Sequence, residues 1–278
     1  MKINRLFLAI ILIFTLSACI KTSPQEMQRY ALIIGNSNYI NISPLKNPVN
    51  DAHDMKETLE EVGFKVIYRE NVANRKAMKT AVNEFAQQLK QKRGIGLFYY
   101  AGHGIQTNGT NYLIPTKVSI PTQVQFKKKA MTANYVLRRM ELAKNYLNII
   151  ILDACRDNPF PTKGETRDIG VKNGLAKIDN PAGSILIYST APGKLAYDGD
   201  GRNSVFTKQL LKGIKEDGHL SIQEMLMNVR KKVKQATKDE PVQQVPWENS
   251  SLVHKFCFSQ SGCTKKITST LIPTGISF

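Results

Sequence analysis

Residues 146–157 read YLNIIILDACRD. The apolar run from Ile149 to Leu152 is short, β-branched and closed by an acid, so it reads as a fully buried strand that stops where Asp153, Ala154 and Cys155 begin. Runs of the same kind recur on both sides of it: RYALIIGNSNY at 29–39, FKVIYRE at 64–70, GIGLFYYAGHG at 94–104 and GSILIYSTAPG at 183–193. Between them lie helical patterns. NPVNDAHDMKETLEEVG at 47–63 has Asn47 in the cap position, Pro48 in the first turn and Gly63 as the stop. NRKAMKTAVNEFAQQLKQK at 74–92 places Ala77, Met78, Ala81, Phe85 and Leu89 near helical spacing. Further helices are expected over 132–144, 204–216 and 221–236, with a polar, glycine-containing loop at 157–180. Apolar strands alternating with helices predict one α/β unit, a mainly parallel sheet covered on both faces. No internal repeat is visible, and the tail after about residue 259 reads as poorly structured.

A chain of 278 residues with 42% hydrophobic content can bury a large core. Residues 1–18, MKINRLFLAIILIFTLSA, place Lys2 and Arg5 before an apolar run from Leu6 to Leu16, the layout of a signal peptide; the run is too short to span a bilayer comfortably. The motif LSAC resembles the lipobox of bacterial lipoproteins, which implies cleavage after Ala18 and acylation of Cys19; the plainer alternatives are an ordinary leader cut nearby with Cys19 incidental, or an uncleaved anchor. Lys and Arg together number 39 against 22 Asp and Glu, a formal charge of +17. Such a surface suits anionic headgroups, polyanions or acidic partners. The cations are dispersed and no aromatic-interleaved basic motif accompanies them, so the reading is against nucleic acid. Cys257 and Cys263, six apart with Gly262 between them, can bridge in an oxidising compartment, and no cysteine or histidine set has zinc spacing.

In open parallel sheets, sites form beyond the carboxyl ends of the strands. His103 follows one strand and Cys155 another, 52 residues later. An imidazole beside a thiol can draw off its proton and return it to a departing amine, which is the chemistry of peptide-bond cleavage. Gly102 and Gly104 flank the histidine and permit close backbone approach, and the amides of Gly104 and Cys155 are candidates for an oxyanion hole. Taken alone, a cysteine after an apolar strand is more often a core residue.

The order of YALIIGNSNY, NDAHDM, FYYAGHG, NYLIP, ILDACRDNPF, SILIYSTAPG and VPWENSSL resembles bacterial caspase-like proteins, the metacaspase and orthocaspase group. That resemblance spans residues 28–258 and implies a caspase-like three-layer sandwich, with a signal peptide at 1–18, a linker at 19–27 and a tail at 259–278. It implies a cysteine endopeptidase with Cys155 as nucleophile and His103 as acid and base. Where caspases have Q-A-C-[RQG]-G, this chain has DACRD, with Asp153 in place of the glutamine. An acid there implies cleavage after Arg or Lys rather than Asp, and Asp51 resembles a second acid of that pocket. Asp153 can alternatively tie down a loop through Arg156, and Asp51 can favour its helix dipole. The loop at 157–180 contains Lys163, Arg167, Lys172 and Lys177; the resemblance leaves open self-cleavage there, since a comparable loop is cut in processed relatives while many single-chain relatives stay intact. Ser189 and Thr190 can meet substrate backbone or serve a turn, Trp247 reads as a packing anchor, and His53, His219 and His254 have no convincing partners. YDGDGRN at 197–203 lacks the downstream acid of a calcium loop, so no metal or cofactor is expected. The expected partners are a peptide or protein substrate and, through lipid on Cys19, a membrane; Ile20 points to the outer one where there are two. Two rivals remain: a peptide-binding module without catalysis, and an esterase or amidase using the same dyad.

Overall fold

The computed structural model describes residues 27–119, 127–155, 171–172, 175–178, 181–192, 194 and 196–263, with Cys155, Val171 and Lys172 described by their backbone. The leader, Cys19, Arg156, Lys163 and Arg167 lie outside the described residues.

Strands β1 (Arg29–Gly35), β2 (Phe64–Glu70), β3 (Ile95–Thr107), β6 (Leu147–Cys155), β8 (Ser184–Tyr188) and β9 (Trp247–Ser250) form the main sheet in the order β2-β1-β3-β6-β8-β9. All its pairs are parallel except β8 with β9. A small antiparallel sheet grows from the far half of β3. There Gly104–Thr107 pairs with β4 (Thr110–Leu113), Gln106 and Thr107 pair with β7 (Val171–Lys172), and β4 pairs with β5 (Met131–Thr132).

Strand alternation divides the core in two. Tyr30, Leu32 and Ile34 of β1 face α2 (Arg75–Lys92) and α3 (Ala133–Leu142). Ala31 and Ile33 face α1 (Pro48–Glu61), α4 (Val205–Glu216) and α5 (Ile222–Ala236). Both faces are apolar because both are covered, and the three layers are those of the caspase-like sandwich. A buried aliphatic side chain such as Leu32 contributes roughly 1.5–3 kcal/mol by leaving water.

Helix termini follow local chemistry. Asn74 caps α2 by accepting from the Ala77 amide at 3.0 Å, and Ser221 and Glu224 form a reciprocal capping box on α5. Asn47 occupies the cap position of α1, but its side chain makes no cap bond. Its amide instead donates to the Asp198 carbonyl at 2.7 Å, while the Ser37 hydroxyl accepts from Val49 N–H. Gly63, just past α1, has φ +84°, which favours a residue without Cβ.

The chain's last described segment closes the base of the sheet. Arg29 donates to the carbonyls of Phe258 and Ser259, Ser259 N–H bonds Gly218, and Cys257 and Cys263 are joined in a disulfide. Residues up to 263 are therefore tied down, further than the composition of the tail suggests. Among the described residues, no helix is long and apolar enough to cross a membrane.

Candidate active site

The parallel register of β3 and β6 runs from Ile95 opposite Leu147 to His103 opposite Cys155. The two residues are adjacent at the carboxyl edge of the sheet, on strands about 4.8 Å apart. One residue later β3 leaves this ladder and pairs with β4 instead, so His103 sits at the fork. Gly102 makes the departure feasible. Its φ is +149°, and a Cβ there would come within 2.6 Å of the Tyr39 hydroxyl.

Two tyrosines fix the histidine backbone. The Tyr39 hydroxyl accepts from His103 N–H at 2.8 Å, and the Tyr100 hydroxyl donates to the His103 carbonyl at 2.8 Å. The Tyr39 ring also packs against the imidazole, with centroids 4.5 Å apart. Nε2 of the ring lies 2.8 Å from the Ser43 carbonyl. A carbonyl only accepts, so Nε2 carries the proton there and Nδ1 of the neutral ring is an acceptor. Sequence reasoning missed Tyr39, Ser43 and Tyr100, because each acts through backbone or through an atom type that no motif marks.

Gly104 faces Leu113 across the β3–β4 pair. The bond from Ile114 N–H to the His103 carbonyl makes this a non-hydrogen-bonded pair, so the Gly104 amide points away from β4. A Cβ on Gly104 would lie 2.8 Å from that of Ala154.

The two acids singled out in the sequence come together under α4. Asp51 is 2% exposed and Asp153 is 7% exposed. One Asp51 oxygen accepts from Ser204 N–H at 3.0 Å. One Asp153 oxygen accepts from the Ser204 hydroxyl at 2.5 Å and from the Thr207 hydroxyl at 2.7 Å, and Thr207 also contacts the Tyr99 hydroxyl at 2.7 Å. Burial, reinforced by the charge of Asp153 and outweighing the bonds from Ser204 and Asn203, pushes Asp51 up to about 8. Burial likewise raises Asp153 above the ordinary carboxylate range, against the pull of the Ser204 and Thr207 hydroxyls. The charge of Asp198 raises both. Among the described residues the partners of these acids are Ser204 and Thr207; Arg156, through which Asp153 could tie down a loop, lies outside them, and Asp51 stands in the first turn of α1, where the dipole also favours an acid.

The wall beside the acids is knitted by Gln244, which is buried. Its side chain accepts from Tyr197 N–H at 2.9 Å and donates to the Ser189 carbonyl at 2.7 Å, and its own amide donates to Thr237. Ser189 and Thr190 are buried, and Trp247 packs on Tyr188 at 5.6 Å. Away from this edge, His254 stacks on Tyr146. His53, Asp54 and Glu57 cluster on α1, where Asp54 is already engaged by Arg202 and Asn203.

Comparison with known proteins agrees with the topology. A family model described as "Caspase domain" matches residues 28–257. The chain is 27% identical over 207 residues to mucosa-associated lymphoid tissue lymphoma translocation protein 1 of Homo sapiens, covering 72% of this chain and 23% of that protein. It is 27% identical over 209 residues to caspase-1 of Mus musculus, covering 68% of this chain and 49% of that protein. It thus spans about a quarter and about half of these relatives.

Proposed function

The chain belongs to the caspase-domain family, a family of cysteine peptidases, and from that premise we propose that it is an endopeptidase cutting after Arg or Lys. Cys155 is the nucleophile and His103 the base and acid. The observation that carries the specificity is a buried pair of acids, Asp153, two residues before the cysteine on β6, and Asp51 of α1, reached by no cation in the described bonds. A lysine or arginine side chain entering beside them supplies the missing positive charge, whereas an aspartate adds a further negative one.

In the reaction, Nδ1 takes the thiol proton while Ser43 holds Nε2–H, and the thiolate attacks the acyl carbon. The amides of Gly104 and Cys155 receive the oxyanion. Nδ1–H then protonates the departing amine, and a water, deprotonated by the same nitrogen, opens the thioester to release the acid and restore the thiol. The same reading places the protein at a bacterial cell envelope, held by lipid on Cys19, on the strength of the LSAC motif and the apolar run before it.

The test is hydrolysis of three fluorogenic peptides that differ only in the residue before the cut. Arg and Lys peptides are expected to turn over at least about 100-fold faster than the Asp peptide, a ratio typical of a misplaced charge in a built pocket. Preference for Asp, or hydrolysis of simple esters without peptide amides, overturns the reading.

A further inference from the structure

We propose that the outer face formed by α2 and α3 is a docking surface for a bilayer rich in anionic headgroups. The charges of the two helical layers are unlike. Residues 75–93 carry six Lys or Arg and one acid, and residues 127–144 again carry six and one. The helices of the opposite layer, α1, α4 and α5, together carry eight cations and seven acids.

Pairing differs as sharply. On the opposite layer Lys56 pairs with Glu60, Lys215 with Glu61, and Lys232 with Glu216 and Asp217. On the α2/α3 layer Glu84 is engaged by Arg69 of β2, and none of the twelve cations appears in an ion pair among the described residues. Unpaired like charges on one face repel each other, and an anionic plane relieves this.

Three further features favour a bilayer over other polyanions. Leu142 and Tyr146, at the end of α3, are 57% and 42% exposed, apolar groups that can enter a headgroup layer amid the cations. Between α2 and α3 lies a groove of about 380 Å³ lined by Gln87, Lys90, Arg139 and Leu142, open enough to admit a headgroup. The chain also enters the domain beside this face. Ile95 N–H bonds the Gln28 carbonyl, and a Cβ on Gly94 would collide with that oxygen, so the chain enters at the base of the sheet with Gln28 against Gly94, two residues past the end of α2, and Met27 beside Gly63, Lys65 and Gln260. The nine residues from Cys19 to Met27 span at most about 30 Å. An anchor at Cys19 and the basic face can therefore engage one membrane together. His103 lies at the sheet's carboxyl edge, away from the plane of α2 and α3, so docking leaves the candidate site open to solvent. The proposal stands on charge and placement and does not depend on the peptidase reading.

The test uses the full chain carrying Cys19→Ser, so that no lipid is attached, with vesicles of phosphatidylethanolamine and phosphatidylglycerol against vesicles of phosphatidylcholine. Cosedimentation is expected on the anionic vesicles in excess of the neutral ones, with the excess lost in high salt. Replacing Lys90, Lys92, Arg138 and Lys144 by glutamine removes four charges from the face. Replacing Lys208, Lys212, Lys231 and Lys234 by glutamine removes four from the opposite layer. The first variant is expected to weaken anionic binding by about fivefold for each charge removed, and the second to leave it nearly unchanged. Equal losses in the two variants, no loss in the first, or tighter binding to duplex DNA than to anionic vesicles overturns the proposal. Peptide turnover by the first variant is expected to match wild type, so failure here and failure of the catalytic reading are separately visible.

Discussion

Replacing Asp51 by asparagine changes one charge at the bottom of the proposed pocket and little of its shape. In the folded protein Asp51 is pushed from 3.8 to about 8, first by burial and then by Asp153. Below pH 8 it therefore holds a proton that must leave before both carboxylates can face a guanidinium, at about 1.4 kcal/mol for each pH unit. Between pH 8 and pH 6 this penalty grows to about 3 kcal/mol, on the order of 100-fold in binding. The dyad has its own titration, so the useful quantity is a ratio: kcat/KM for an Arg peptide divided by the rate at which iodoacetamide alkylates Cys155. In wild type that ratio is expected to rise at least about tenfold from pH 6 to 8, allowing for Asp153 retaining part of the charge. In Asp51→Asn it should be nearly flat and lower at pH 8. A flat ratio in wild type, or the same slope in the variant, refutes the coupling of Asp51 to the bound side chain.

The same group predicts a stability effect of defined sign. Its folded value lies above its unfolded one, so its favourable share is complete below about pH 4 and is lost as the pH rises toward 8; Asp51→Asn should melt higher than wild type at pH 8, by an amount on the order of a few kcal/mol, with the advantage shrinking toward pH 4. Tyr39→Phe removes the acceptor of a buried His103 amide, a loss of about 1–3 kcal/mol, and should lower kcat about tenfold or more with KM nearly constant. Gln244→Leu leaves Tyr197 N–H and the Ser189 carbonyl unpaired together, and should raise KM for Arg peptides while iodoacetamide alkylation of Cys155 keeps its rate. Reducing Cys257–Cys263 opens a short loop and should cost about 2 kcal/mol in a denaturant titration.

The legible part of this molecule is the part whose residues answer to their own neighbours. Apolar runs betray β1, β2, β3, β6 and β8 because each is buried on both faces, and α2 shows its stripe from Met78 to Leu89. β9, reading WENS, is hidden because a partly exposed edge strand carries no apolar run. β4, β5 and β7 are too short to leave a period. Asp51 and Asp153 stand out as acids in unusual company, but that Ser204 and Thr207 hold them is a tertiary fact, as these lie about 50 residues or more away in sequence. Ser43 contributes only a carbonyl, which every residue has, and its role becomes visible only when the loop brings it to His103.

Peptidase activity requires the residue facing His103 across the β3–β6 ladder to attack an acyl carbon. Turnover of an Arg fluorogenic peptide by the purified chain, compared with its Cys155→Ala variant at equal folded concentration, measures that directly. The account predicts turnover in the first and none above background in the second; equal turnover in both, or none in either under reducing conditions across pH 6–9, would contradict it.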